Sequence, residues 1–309
     1  MKSIIYLYNK LPVSGKILIF VTLFLIIVIF FHSLKKYENK KEGFQQNNTF
    51  LFKGGNDIYD DFYSNIYDEL VFNNLKDDYE VEQIIDSTEP TQKSIILDIG
   101  CGTGHHVAKL SQQNFNVIGI DNSVSMIKKA KENYPNYDFK VQDALNADAF
   151  LNNYFTHITC LYFTIYYMKD KNLFFRNCMN WLMPGGSLIL HLVNRDKFDP
   201  ILPPGNPLLI VSPQKYAKER IMKTKLVFYE FDYTSEFVLE KEKNIAYFNE
   251  KFKDREKGTV RKNQHLFYME PQQKILTMAQ QAGFIIEGNI DLVNCGYSEQ
   301  YLYILTKPT

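Results

Sequence analysis

A glycine-rich segment and two later aspartates are the residues most able to bind a ligand. The segment reads Leu97-Asp-Ile-Gly-Cys-Gly-Thr-Gly104 and lies between an apolar run and a helical pattern. Glycines in such a turn let backbone amides approach a ligand closely. Asp121 and Asp143 each end a predicted strand, where the first can accept hydrogen bonds from both hydroxyls of a ribose and the second can meet an adenine amino group.

The glycine spacing distinguishes this turn from a dinucleotide-binding turn. A pyrophosphate site has the pattern G-x-G-x-x-G, whereas this chain has G-x-G-x-G with His105 at the position of the third dinucleotide glycine. Asp98 also precedes the first glycine by two positions. Both details point away from pyrophosphate. A strand-to-helix turn without a ligand is the alternative, and the three acids at successive strand ends disfavour it.

The sequence around these residues alternates short apolar runs with helical patterns. Such alternation predicts an α/β fold with a doubly wound parallel sheet and helices on both faces. Strands are predicted at 94–98, 116–120, 139–142, 158–163 and 187–193, and helices at 57–86, 105–113, 123–133 and 171–182.

After residue 193 the pattern changes. Four runs alternate with period two and predict antiparallel strands at 226–233, 235–239, 245–253 and 261–268, inside an insertion at about 215–268. A helix at 271–282 and strands at 284–290 and 301–306 complete the prediction.

Together the motifs resemble those of the class I S-adenosylmethionine-dependent methyltransferases. The resemblance rests on the Asp98–Gly104 segment, on Gly119-Ile-Asp-Asn-Ser-Val-Ser-Met126, on Gln142-Asp-Ala144 and on Leu182-Met-Pro-Gly-Gly186. It implies a Rossmann-like fold and S-adenosylmethionine as the donor. One departure is Phe155-Thr156, where these enzymes often carry Phe-Asp.

The resemblance also implies roles for individual residues. Asp98 and the glycine turn would follow the methionine part of the donor, Met126 would pack on the adenine, and the stretch 59–68 would cap the donor. Residues 160–162 would form the pocket floor. The donor-binding residues implied in this way are Tyr59, Asp98, Gly100, Cys101, Gly102, Gly104, Asp121, Asn122, Met126, Asp143, Ala144 and Leu161.

Acceptor residues are harder to assign, and no catalytic residue is fixed by the sequence. The candidates are Tyr162, His191 and His265, with Tyr166, Tyr167, Asn194 and Arg195 near them in the predicted fold. Each has a structural alternative: the tyrosines as core aromatics, His191 as a buried core histidine and His265 as a strand-pairing residue. The inserted strands are expected to wall off the acceptor pocket, which favours a small molecule that accepts methyl on O or N.

Composition excludes several other classes of protein. Lys+Arg and Asp+Glu are both 35, so a general nucleic-acid coat is disfavoured. The four cysteines are widely spaced and predict free thiols rather than disulfides or a zinc ribbon. His105 and His106 lack matching ligands in the sequence, so no metal site is predicted.

The amino-terminal region predicts a membrane anchor. Residues 17–34 contain no charged side chain and are long enough as a helix to cross a bilayer. The predicted organisation is a tail at 1–16, a transmembrane helix at 17–34, a tether at 35–56 and a methyltransferase domain at 57–309. Lysines are slightly more numerous after the span than before it, which favours a single-pass protein with a cytosolic domain.

Two other interpretations remain open at this stage. The domain can be a catalytically silent donor-binding scaffold at a membrane, or the acceptor can be a protein side chain. An intact glycine turn with Asp121 favours an active enzyme, since drifted relatives commonly lose these residues.

The anchor leads to a first prediction. Because the apolar run 17–34 ends without a small-residue cleavage pattern, the chain should remain uncleaved and membrane-bound. After alkaline carbonate extraction it should stay in the membrane pellet. Release into the supernatant would contradict the anchor.

Overall fold

The computed structural model describes residues 50–205 and 212–309, together with Pro12, Gly15, Lys16, Thr22 and Phe24. The chain divides into two units, Met1–Gln46 and Asn47–Thr309. The predicted transmembrane helix at 17–34 lies outside the described residues except at two positions. Among the residues that are described, no helix has the length and apolar character needed to cross a bilayer.

The second unit contains two β-sheets and the helices packed on them. The strands are β1 (Phe50–Gly54), β2 (Ile95–Ile99), β3 (Asn116–Asp121), β4 (Asp138–Val141), β5 (Phe155–Cys160), β6 (Leu182–Val193), β7 (Lys223–Val227), β8 (Phe231–Glu240), β9 (Ile245–Asp254), β10 (Val260–Tyr268), β11 (Ile285–Asp291) and β12 (Gln300–Thr306). The helices are α1 (Asp61–Val71), α2 (Asn74–Thr88), α3 (His105–Gln112), α4 (Val124–Asn133), α5 (Thr164–Tyr167), α6 (Lys171–Trp181) and α7 (Gln272–Gln281).

The larger sheet has the strand order β11-β12-β6-β5-β2-β3-β4. Its strands β2 to β6 pair in parallel, and β12 runs antiparallel to both of its neighbours. Strand β2 is apolar apart from Asp98 and almost wholly buried, as expected for a strand covered on both faces. The predicted Rossmann-like α/β fold is confirmed.

The carboxyl ends of β2 and β3 meet at one edge of this sheet. The backbone N–H groups of Gly100 and Cys101 both donate to the carbonyl of Ile120, at 2.8 and 2.9 Å. The glycine turn after β2 is therefore fixed against the end of β3. This contact places Asp121 beside the turn, as the motif predicted.

The single helix predicted at 57–86 is in fact two helices. Asp60 caps α1 by accepting from the N–H of Tyr63, and Asn73 caps α2 by accepting from the N–H groups of Leu75 and Lys76. An Asn placed to cap a new helix start stops the first helix and turns the chain.

The smaller sheet has the order β1-β10-β9-β8-β7. Strands β7 to β10 are antiparallel, which confirms the predicted inserted strands. The predicted break at Thr234 was wrong, because that residue lies inside β8 and the hairpin turns at residues 228–230.

Strand β1 differs from the sequence prediction, which placed residues 50–54 in the tether. It pairs in parallel with β10, so that Phe50 lies opposite Val260. Five residues carry too little periodicity to identify a strand. What orders them is the free edge of β10, which is far away in the sequence.

Strand β10 binds the smaller sheet to α1. The guanidinium of Arg261 donates two hydrogen bonds from Nη1 to the Asp60 carboxylate, both at 2.9 Å, and one from Nη2 to the carbonyl of Ile58. The same group lies 4.7 Å from the ring centre of Phe62. Because Asp60 also caps α1, this contact fixes the helix start against the sheet.

The turn after β2 yields a stability prediction. Gly104 has φ +94°, and a Cβ there would lie 2.7 Å from Cζ of Phe139. Gly104→Ala should lower the free energy of unfolding by about 2 to 5 kcal/mol, since left-handed strain and overpacking both act.

Gly258 provides the matched control, because its φ is +67° and a Cβ would meet nothing within 4 Å. Gly258→Ala should cost only the strain, about 1 to 2 kcal/mol. Urea unfolding of both variants checks the difference. Equal losses would show that Phe139 moves aside without cost.

Candidate functional site

A cavity of about 430 Å³ lies where the two sheets face each other, beside the carboxyl ends of β2, β3 and β5. Residues of the larger sheet and its loops form one side, and β8 to β10 contribute Phe237, Phe248, His265 and Phe267. Predicted site residues that line it are Tyr59, Gly100, Gly102, Asp121, Asn122, Met126, Asp143, Ala144, Tyr162 and His265.

The glycine turn after β2 does not accommodate side chains at the positions that line the cavity. Gly100 has φ +72°, and a Cβ there would lie 2.5 Å from the side chain of Thr164. Gly102 has φ +54°. Both positions therefore require glycine, and the backbone itself forms part of the cavity wall.

Asp121 is held in place by the backbone. Its Oδ2 accepts from the N–H of Gly102 at 3.1 Å, and its Oδ1 accepts from the N–H of Ser123 at 2.8 Å. Burial raises the pKa of this carboxyl to about 6, against the opposing effect of the two backbone donors. The remaining lone pairs of the carboxylate are available to accept hydrogen bonds from hydroxyl groups of a ligand in the cavity.

A chain of hydrogen bonds crosses the opposite wall of the cavity. Tyr59 Oη donates to Tyr167 Oη at 2.6 Å, and Tyr167 Oη lies 2.7 Å from His265 Nδ1. His265 Nε2 lies 2.8 Å from Glu250 Oε2. A carboxylate only accepts, so Nε2 of His265 carries the proton. In the neutral imidazole, Nδ1 then accepts a hydrogen bond from the Tyr167 hydroxyl.

Glu250 is fully buried and receives further donors. Tyr63 and Tyr233 donate to Oε1 at 3.1 and 2.8 Å, and Asn263 donates to Oε2 at 3.0 Å. Burial by itself would raise the pKa of this carboxyl, but His265 and these donors outweigh it and lower the pKa. Glu250 is therefore the anionic end of the hydrogen-bond chain.

Tyrosines surround His265 and stay protonated. The rings of Tyr59, Tyr63 and Tyr167 lie within 5.7 to 6.1 Å of the imidazole centre. Burial raises the pKa of all three well above the ordinary value. They can donate or pass a proton, but they do not stand as phenolates.

The part of the chain that carries the glycine turn and Asp121 matches known proteins. Residues 96–186 match a family described as a methyltransferase domain. The chain is 32% identical over 112 residues to the putative methyltransferase 235L of Invertebrate iridescent virus 6, covering 35% of this chain and 41% of that protein. It is 32% identical over 114 residues to a dTDP-4-amino-2,3,4,6-tetradeoxy-D-glucose N,N-dimethyltransferase of Saccharopolyspora spinosa, covering 36% and 45%.

A solved structure agrees in fold. The S-adenosylmethionine-dependent methyltransferase from Clostridium acetobutylicum ATCC 824 superposes with a TM-score of 0.61 at 20% identity, covering 80% of this chain and 98% of that one. Residues 96–186 form a methyltransferase domain, and the fold around them is that of an S-adenosylmethionine-dependent methyltransferase of known structure. The aligned segments span less than half the length of the two relatives.

The methyltransferase donor fits the residues on the first side of the cavity. Asp121 offers carboxylate oxygens for the ribose hydroxyls, and Asp143 offers a second acid beside Ala144. Met126 is buried and lines the same side. Gly100 and Gly102 leave backbone open to a ligand where a side chain would block it.

Some predicted donor residues do not line the cavity. Asp98 is buried and accepts from Thr159 Oγ1 at 2.7 Å, and burial raises its pKa. Cys101 and Gly104 face inward, against Gly119 and Phe139 respectively. Leu161 packs in an apolar cluster. In the described structure these residues shape the turn and its support rather than the cavity surface.

Several acceptor candidates lie away from the cavity surface. His191 does not line the cavity, its Nδ1 contacts the carbonyl of Tyr162, and burial lowers its pKa to about 4. Tyr166 Oη accepts from the N–H of Val193 at 2.9 Å, and Arg195 Nη1 donates to the carbonyl of Met269 at 2.6 Å. Tyr162 does line the cavity and has φ +51°, an unusual backbone conformation for a tyrosine.

Sequence reasoning missed Glu250 entirely. A signal was present, because Glu250 shares the inward side of β9 with Ala246 and Phe252. An acid at an apolar position of a strand needs a buried partner. The alternation of β10 offers one, because His265 lies on the inward side of that strand.

The prediction that His106 lacks matching ligands was wrong. His106 Nε2 lies 3.0 Å from Glu80 Oε2 and 4.0 Å from Asp77 Oδ1, both on α2. Burial would lower the pKa of His106, but the two acids raise it to about 9. Lys76 Nζ lies 2.6 Å from Glu80 Oε1. The positive charge that these acids need is therefore already supplied in part by an ammonium group.

Donor binding should depend on pH through Asp121. Its carboxylate is charged above about pH 6, and the charged form accepts hydrogen bonds more strongly. Calorimetry should therefore show S-adenosylmethionine affinity falling as pH drops from 7.5 to 5.

Asp121→Asn should bind the donor about 10- to 100-fold more weakly at pH 7.5, the usual value of hydrogen bonds to a charged group. It should also lose the pH dependence between 7 and 5 that Asp121 causes, because the amide at position 121 does not titrate. A variant that keeps the wild-type pH profile would show that another group is responsible.

Proposed function

We propose that this protein transfers a methyl group from S-adenosylmethionine to an oxygen or nitrogen atom of a small-molecule acceptor. The observation that carries the proposal is the single cavity shared by Asp121 on one side and His265 on the other. One side suits the donor, and the other holds a histidine oriented by a buried carboxylate. This pairing is what methylation of a protonated acceptor requires.

The donor supplies a methyl group on a positively charged sulfur. The protein then has to align the acceptor atom with that methyl group, exclude water and remove one proton from the acceptor. Tyr167 Oη has a second lone pair beside the one that Tyr59 uses. An acceptor O–H or N–H placed there gives its proton to Tyr167 as Tyr167 gives its own to His265 Nδ1.

Glu250 makes this transfer favourable without taking the proton itself. Its carboxylate lies 2.8 Å from His265 Nε2 and stabilises the imidazolium that forms. The raised pKa of Tyr167 means that the phenol acts as a relay and not as a lasting base.

The cavity lining restricts the acceptor. Among its described residues none is Lys or Arg, and the acids Asp121, Asp143 and Asp199 are present. A neutral or cationic acceptor fits this surface better than a phosphorylated one. The wall formed by β8 to β10 supports a small molecule over a protein side chain, and the Saccharopolyspora relative is itself named for a small amino-sugar substrate.

We place the domain at a membrane, on the cytosolic side. The support is the uncharged run at 17–34 and the lysines on either side of it.

The Tyr167–His265–Glu250 chain favours an active enzyme over a donor-binding scaffold, since a scaffold has no use for an oriented buried base.

The test uses methyl-labelled S-adenosylmethionine with fractionated cell extract. Label should enter the small-molecule fraction. His265→Asn should reduce the rate about 10²- to 10⁴-fold, the usual value of general-base catalysis, and Tyr167→Phe should also reduce it because the relay is broken. Donor affinity should be nearly unchanged in both variants.

His157→Asn is the matched control. His157 is also largely buried, but it bonds the carbonyl of Thr88 and does not line the cavity. It should retain wild-type turnover. Label entering protein would overturn the acceptor class, and full activity in His265→Asn would overturn the assigned base.

A further inference from the structure

The outer face of the smaller sheet is basic. Side chains alternate along each strand, so the face opposite His265 and Phe252 carries the other half of every strand. It holds five exposed lysines, Lys223, Lys225, Lys251, Lys253 and Lys262, against the three carboxylates of Asp232, Glu236 and Glu240. We call these residues, with Phe50, Phe52 and Val227, the basic face.

Like charges meet directly across the centre of the basic face. Lys262 on β10 lies opposite Lys251 on β9 in the strand register. Lys251 in turn lies opposite Thr234 on β8, and Thr234 lies opposite Lys225 on β7. Lys262, Lys251 and Lys225 therefore lie in one row across the sheet. Like charges opposite each other on one side of a sheet destabilise it. The repulsion between these lysines therefore lowers the stability of the sheet. An anionic partner bound on this face would remove the repulsion.

The carboxylates on the basic face do not neutralise this row. Glu236 binds Lys223 at 3.0 Å, Asp232 binds Arg255 at 3.4 Å, and Glu240 binds Lys243 at 2.7 Å. Within the described part of the chain, Lys225, Lys251 and Lys253 form no ion pair. Lysines often protect an exposed sheet edge from pairing with another chain. That role does not explain Lys251, Lys253 and Lys262, because β9 and β10 are interior strands.

Exposed aromatic side chains adjoin the lysines. Phe50 and Phe52 on β1 are each more than half exposed, and Phe52 lies beside Lys262 in the register. Val227, at the other edge of the sheet, is 63% exposed. Lysines with neighbouring phenylalanines are the combination that binds a membrane surface, with the cations at the headgroups and the rings at the acyl boundary.

We propose that the basic face docks on an anionic membrane surface. Charge complementarity selects anionic lipid, and the exposed phenylalanines favour a bilayer over a nucleic acid, which would offer them no apolar layer. In the sequence, β1 follows the apolar run 17–34 after only residues 35–49. The proposal concerns a surface remote from the donor residues and is independent of the methyl-transfer proposal.

The experiment places an environment-sensitive fluorophore on the basic face of the full-length protein. Val227→Cys is labelled and mixed with vesicles of phosphatidylcholine alone or with 30% phosphatidylserine. Emission should shift to shorter wavelength only with the anionic vesicles. The shift should disappear at 1 M salt, where the Debye length falls to about 3 Å.

Charge variants identify the residues responsible. Lys225→Gln/Lys251→Gln/Lys262→Gln should abolish the shift. A matched triple at exposed lysines outside the basic face, Lys93→Gln/Lys128→Gln/Lys131→Gln, should retain it. A label at exposed Leu151 should show no shift in any vesicle. Circular dichroism confirms that both triple variants are folded.

Two outcomes overturn the proposal. Equal emission with neutral and anionic vesicles shows that the basic face does not recognise lipid charge. A shift produced by a DNA duplex without vesicles, and lost in the first triple variant, shows that the face binds nucleic acid instead.

Discussion

The hydrogen bonds to the buried carboxylate of Glu250 are the interactions on which the cavity wall formed by the smaller sheet depends. An isolated buried charge costs several kcal/mol, so its oxygens have to be satisfied. The donors come from α1, β8 and β10 through Tyr63, Tyr233, Asn263 and His265. One charge therefore holds three elements in a fixed relation, and the orientation of His265 follows from the same requirement.

The donor and acceptor sides are connected through a short segment before α1. The carbonyl of Tyr59 accepts from Ser123 Oγ at 2.7 Å, next to the donor-side helix α4. The next residue, Asp60, binds Arg261 on the acceptor-side strand β10. Tyr59 itself donates to Tyr167. Any shift of this segment on donor binding would reach His265 and its strand β10 through two contacts.

How much the sequence could predict depended on how local the signal was. The glycine turn, Asp121 and the alternation of strands and helices are encoded within a few residues, and the structure agrees with them. Glu250 and the acids around His106 need partners far away in the sequence, as does β1. Their roles depend on register and packing between distant elements, which a single sequence does not show.

The position of β1 also bears on how the chain is made. During synthesis β1 emerges before most of the domain, yet its partner β10 follows roughly two hundred residues later, a delay of about 10 to 40 s at ordinary translation rates. Until then Phe50 and Phe52 have no strand to pair with. The smaller sheet can close only when β10 has left the ribosome, so the cavity wall that this sheet forms waits for a strand made late in synthesis.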